Sequence, residues 1–130
     1  SILDPLLVEN GFVWKQLSSG SSSGGRFVSG CFVKGDRKLE IHFRHSLGLI
    51  QYHNRNLRAN HSSLMEAITG TKGANRYPGY SDDPLDGFRN LKHDIHTFGE
   101  PFLRGTDEEW GSLLLQAAEL EARENEQRLP

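Results

Sequence analysis

Residues 36–54 read Asp36-Arg37-Lys38-Leu39-Glu40-Ile41-His42-Phe43-Arg44-His45-Ser46-Leu47-Gly48-Leu49-Ile50-Gln51-Tyr52-His53-Asn54. The alternation in this stretch decides the fold. Strand side chains point to opposite faces with period two. Leu39, Ile41 and Phe43 therefore share one face, and Lys38, Glu40, His42 and Arg44 share the other. Ser46 and Gly48 break the pattern before a second apolar run from Leu47 to Tyr52. The reading is a pair of strands with an apolar face to bury and a polar face to leave open.

Upstream, Asp4, Pro5 and Gly11 suit the cap, first turn and stop of a short helix over residues 2–10. A strand is expected over 12–17 and another over 26–34, joined by a flexible Ser/Gly loop at 18–25. That loop lacks the Lys-Ser/Thr ending of a phosphate cradle. Gly35-Asp36 supplies a tight turn into the central pair.

Downstream the period becomes helical. Ser63 with Glu66 reads as a capping box opening a helix over 64–69. Asp83-Pro84 opens a longer helix with Leu85, Phe88, Leu91, Ile95 and Phe98 at helical spacing, stopped by Gly99. Pro101-Phe102-Leu103 reads as a connector. Thr106 with Glu109 caps a last helix over 107–125, with 126–130 fraying. Strands followed by helices predict one α+β domain over residues 1–130. Its expected form is an antiparallel meander of three to four strands, with one N-terminal helix and three C-terminal helices packed on one face.

Composition narrows the function classes. A chain of 130 residues can bury a core without disulfides or metal. Its net charge of -2 argues against a general nucleic-acid binder. The single cysteine, Cys31, lies in a strand pattern and reads as a small buried hydrophobe. With no apolar run near about 18 residues and no leader pattern, the expectation is a cytoplasmic protein that does not span a membrane.

Three constellations could carry chemistry. His42 and Arg44 share a strand face, and His53 on the paired strand could join them as a base beside a cation, in the manner of a small hydrolase or nuclease. His42 and His45 diverge, so they do not share a metal. His93 and His96 stand one helical turn apart, but no third ligand accompanies them, and no metal or cofactor is expected. Asp82, Asp83 and Asp86 crowd a helix start, where the helix dipole accounts for them. Arg89 is placed to pair with Asp86. Tyr77 and Tyr80 sit in a loop, where aromatics either supply a contact surface or pin the loop onto the sheet edge.

The segments from Phe43 to His53 and from Tyr77 to Arg89 resemble a group of small bacterial proteins of uncharacterised activity, over about half the chain. In size, acidity and α+β build the chain is also similar to immunity proteins of bacterial toxin systems. These likenesses and the absence of a catalytic motif imply a non-enzymatic module that binds another protein. The expected surface comprises Glu40, His42, Arg44, Tyr77, Tyr80, Asp82 and Arg89. A hydrolase using His42, Arg44 and His53 is the alternative, and a structural homodimer is the third reading.

Overall fold

The computed structural model describes residues 2–22 and 25–128. Helix α1 (Asp4–Glu9) precedes five strands, β1 (Val13–Ser22), β2 (Gly25–Lys34), β3 (Arg37–Arg44), β4 (Ser46–Asn54) and β5 (Leu57–Asn60). Helices α2 (His61–Thr69), α3 (Asp86–Phe98), α4 (Glu100–Leu103) and α5 (Asp107–Arg128) follow. The strands form one antiparallel meander in the order β1-β2-β3-β4-β5.

The expected architecture is present, with one more strand and one more short helix than the sequence predicts. Ser18–Ser22 belong to a strand rather than a loop, because they pair residue by residue with Gly25–Ser29; residues 23 and 24 lie outside the described residues. Asp4 is the first helical residue and does not cap α1 through its side chain. The cap of α2 is Asn60, whose Oδ1 accepts from the Ser63 amide at 2.8 Å, so the helix starts at His61. Helix α3 starts at Asp86, after Asp83 has accepted from the Leu85 amide at 2.9 Å. The Pro101 connector is helical, and α5 continues to Arg128. The Thr106 cap forms as expected, its hydroxyl accepting from the Glu109 amide at 3.1 Å.

Period two is realised in the sheet. Leu39 and Ile41 are buried and Phe43 packs against the core, joined from neighbouring strands by Phe32, Ile50, Tyr52 and Ala59. Helical stripes close the same core: Leu3 and Leu7 of the N-terminal segment, Leu64 and Met65, Leu91 and Ile95, then Trp110, Leu114 and Ala117. All helices lie on this one face. Gly30 permits a close approach inside it. A Cβ there would stand 2.5 Å from the Trp14 ring, so only glycine lets that ring lie against β2.

The opposite face carries no helix among the described residues. Cross-strand register places Val13, Lys15, Cys31, Lys38, Glu40, His42, Arg44, Gln51, His53 and Arg58 there. Cys31 is buried, and burial pushes its thiol pKa up, as suits an inert thiol.

Candidate functional site

The open face curls at one end. Two bulges lie there, one at Leu17 in β1, between Gln16 and Ser18, and one in β4, where Gly48 and Leu49 oppose His42 alone. A bulge inserts an unpaired residue, increases the local twist and re-aims side chains. The second bulge lies opposite His42. Between the bulges lies a hollow of about 380 Å³ lined by Ser18, Phe27, Ser29, His42, Arg44 and Ser46, with the Val28 and Phe43 segments behind them.

Three of the predicted polar residues meet on this face, and Glu40 holds two of them. Its Oε2 is 2.5 Å from His42 Nε2, and its Oε1 is 2.7 Å from His53 Nε2. Burial alone would push the Glu40 carboxyl up, but the hydrogen bonds from His42 and His53 outweigh it and hold the pKa below its ordinary value. An ionised carboxylate only accepts, so each ring donates through Nε2 and keeps its Nδ1 edge for other contacts. Arg44 lies over the Phe27 ring, 5.2 Å from its centroid. Ser29 is the direct cross-strand neighbour of His42, and its hydroxyl is 2.6 Å from that of Ser18.

The expected trio of His42, Arg44 and His53 is therefore only partly assembled. His42 and Arg44 line one hollow, whereas His53 is turned to Glu40 and is not in its wall. Glu40, expected as a surface contact, acts as the clamp between the histidines.

The tyrosine loop divides. Tyr80 is fully exposed, but Tyr77 is 7% exposed and cannot be a contact residue in the free protein. Its hydroxyl donates to the Leu47 carbonyl at 3.0 Å and to the Gly48 carbonyl. Burial pushes its pKa up to about 12. Tyr77 thus pins the loop to the end of the sheet. A second hollow of about 260 Å³ includes His45, Asp82, Asp83 and Gly87, and Ser46 lines both hollows. The sheet face and the loop are consequently one continuous surface. Arg89 reaches Asp86 at 2.5 Å and Asp83 at 3.1 Å. Its partners hold the Asp86 carboxyl below its ordinary value, the Ser81 hydroxyl first and Arg89 second. These groups are exposed, so the pairing orders the loop more than it stabilises the fold.

The charge of this surface is uneven. Lys15, Lys38, Arg44 and Arg58 are all exposed on the sheet face, where Glu40 is the only strand carboxylate among the described residues. The chain as a whole carries -2. Positive charge is thus concentrated on the open face and negative charge on the helical layer.

One polar cluster escaped the sequence reading. Tyr52, His61 and Asp94 are buried in a line. Tyr52 Oη is 2.8 Å from His61 Nδ1, and His61 Nε2 is 2.9 Å from Asp94 Oδ2. Asp94 also accepts the backbone N–H of Arg76 at 2.8 Å and of Tyr77 at 2.8 Å. A neutral imidazole that donates from Nε2 and accepts the tyrosine hydroxyl at Nδ1 satisfies every member. Burial first, then the Asp94 charge, pushes the Tyr52 hydroxyl pKa well up. The cluster is sealed from solvent and ties β4, α2, α3 and the tyrosine loop together. Signals for it stood in the sequence: His61 heads the stripe completed by Leu64, Met65 and Ile68, and Asp94 sits within the stripe of Leu91, Ile95 and Phe98.

Among the described residues, no three His, Cys, Asp or Glu side chains are grouped to hold a metal ion, and no helix is long and apolar enough to cross a membrane. No protein-family model, curated protein or solved structure matches this chain.

Proposed function

We propose that the chain is a non-enzymatic protein-binding module whose partner docks on the open sheet face and the adjoining loop at Tyr80. One observation carries the reading: a helix-free face with four exposed cations against a single strand carboxylate. Charge complementarity then sets the partner's chemistry. It presents carboxylates to Lys15, Lys38, Arg44 and Arg58, and such charges govern encounter rate and orientation. Val13 and Leu49, both exposed, add apolar contact at two sides of the patch. Tyr80 supplies a large ring at low entropic cost. A toxin-neutralising role, in which the module covers an acidic working surface of a toxin, is the form suggested by the resemblance to immunity proteins. Its mechanism is occlusion by shape and charge.

The test is a charge reversal. Lys15→Glu, Lys38→Glu and Arg58→Glu change exposed side chains without touching the core. The triple variant is expected to keep the wild-type melting temperature and to lose the partner that the wild type retains from its native host. A Lys92→Glu control, on α3, is expected to retain that partner. Capture of the same partner by the folded triple variant would refute the assignment of the face.

A further inference from the structure

The hollow at the curled end of the face has more donors than docking of carboxylates requires. We infer that it is a binding site for a phosphomonoester whose organic half is a flat ring, such as a nucleoside monophosphate. The inference deepens the reading above, naming a ligand for part of the same face, and rests on it only in that sense.

The polar wall argues for phosphate. Arg44 provides a planar fork of N–H donors that matches two oxygens of one phosphate. Ser18, Ser29 and Ser46 line the same space, and because the Ser18 and Ser29 hydroxyls bond each other at 2.6 Å, one proton of that pair remains for a ligand. His42 adds the edge that Glu40 leaves unused. Glu40 engages Nε2 at 2.5 Å, which leaves Nδ1 as the second polar atom of a ring that lines the hollow. A carboxylate has two oxygens for these donors; the terminal phosphate of a monoester has three. Glu40 is the nearest carboxylate in the cluster, and both its oxygens are occupied by imidazoles, so it does not confront the ligand with bare charge.

The remaining wall argues for the ring. The Phe27 ring flanks the serines and Arg44, while the Val28 and Phe43 side chains turn to the helix-covered face. Arg44 already lies on the Phe27 face, which holds the guanidinium beside an apolar surface. A volume of about 380 Å³ falls in the range of small-molecule sites. The two bulged segments, at Leu17 and at Gly48–Leu49, border this hollow.

The experiment is a titration of the full chain with inorganic phosphate, phenyl phosphate and adenosine monophosphate, followed by backbone amide shifts at constant ionic strength. Saturable shifts are expected at Ser29, His42, Arg44 and Gly48. The two ring-bearing esters are expected to bind at least about fivefold more tightly than inorganic phosphate, since only they offer a ring to stack. Arg44→Ala, at an exposed position, is expected to weaken binding by about tenfold or more, the size of a lost charge-assisted contact. Ser29→Ala gives a second variant. Shifts that chloride reproduces, an unchanged affinity in both variants, or equal affinity for inorganic phosphate and the ring-bearing esters would each overturn the inference. The Lys15, Lys38, Arg58 charge-reversal variant keeps the hollow. If it binds phenyl phosphate but not the partner, both readings stand. If the wild type captures the partner through this face but binds no ester, this inference alone fails.

Discussion

Replacing Asp94 by alanine is expected to lower stability by about 3–5 kcal/mol, the cost of leaving three buried donors without their carboxylate acceptor. The geometry explains why the loss is large. Asp94 accepts from His61 and from the Arg76 and Tyr77 amides. Alanine would strand all three donors in the interior, and each stranded donor costs its full desolvation. At this chain length the melting temperature should fall by roughly 10–20 °C. Asp94→Asn keeps one acceptor oxygen but turns an amide toward a donor, so an intermediate loss is expected. Equilibrium unfolding in urea measures both.

The same residue sets part of the acid stability. Burial alone would push the Asp94 carboxyl up, but His61 and the Tyr77 and Arg76 amides pull it below its ordinary value. A carboxyl depressed on folding contributes stability that is complete above its unfolded pKa and is lost as pH falls through the folded value. The Asp94 contribution therefore disappears below about pH 4. Glu40, also depressed, contributes in the same direction and window. Asp94→Asn should make the fall in stability below pH 4 shallower than in the wild type. An identical slope in wild type and variant would contradict the role given to Asp94.

The second large effect is expected at Arg37. This buried guanidinium donates to the carbonyls of Phe102 at 2.9 Å and Pro101 at 3.3 Å, to the Gly105 carbonyl, and to Asp107 Oδ1 at 3.1 Å. Lys34, across the hairpin turn, donates to the Leu103 carbonyl at 2.7 Å. Burial, then the neighbouring Arg37 and Arg104 charges, lowers its pKa. Helix α4 is four residues long, so its terminal carbonyls have no further turn to accept from. The β2–β3 hairpin thus caps α4 and fixes the entry to α5. Arg37→Ala should cost about 3 kcal/mol. Arg37→Lys should recover less than half, because one ammonium cannot serve a fork of acceptors. The exposed pair of Arg55 with Asp36, on neighbouring turns, provides the contrast: Arg55→Ala should cost at most about 0.5 kcal/mol. Equal losses for Arg37→Ala and Arg55→Ala would show that the stapling of α4 is energetically idle.

The legible parts of the sequence are those where a local period meets a local need. Leu39, Ile41 and Phe43 alternate because their strand is covered on one side only. Thr106 and Glu109 form the predicted cap because all its atoms lie within four residues. Composition misled where pairing outweighs propensity. The Ser/Gly run at 18–22 is strand because its backbone groups are satisfied by the opposing residues 25–29. Strand β5 has four residues, too few to display a period, and its last residue, Asn60, is also the cap of α2. The sequence left Tyr77 open between a contact and a pin on the sheet edge, because its partners, the carbonyls of Leu47 and Gly48, are about thirty residues away. His61 and Asp94, 33 residues apart, each broke an apolar stripe. A charged residue in such a stripe is the local trace of a buried pair, although only the fold names the partner.

At the site, the sequence placed Glu40, His42 and Arg44 on one face correctly. It could not foresee the β4 bulge opposite His42 or the Glu40 clamp, since both depend on how β4 is registered against β3. The excess of positive charge was hidden for a related reason. Lys15, Lys38 and Arg58 lie on three different strands, and only the meander brings them onto one surface.

The most direct test of that surface is lysine acetylation of the folded protein, free and partner-bound, read by mass spectrometry. The account predicts that Lys15 and Lys38 lose reactivity in the complex while Lys72 and Lys92 keep theirs. Protection of Lys72 and Lys92, with Lys15 and Lys38 unchanged, would place the partner on the helical side and contradict the account.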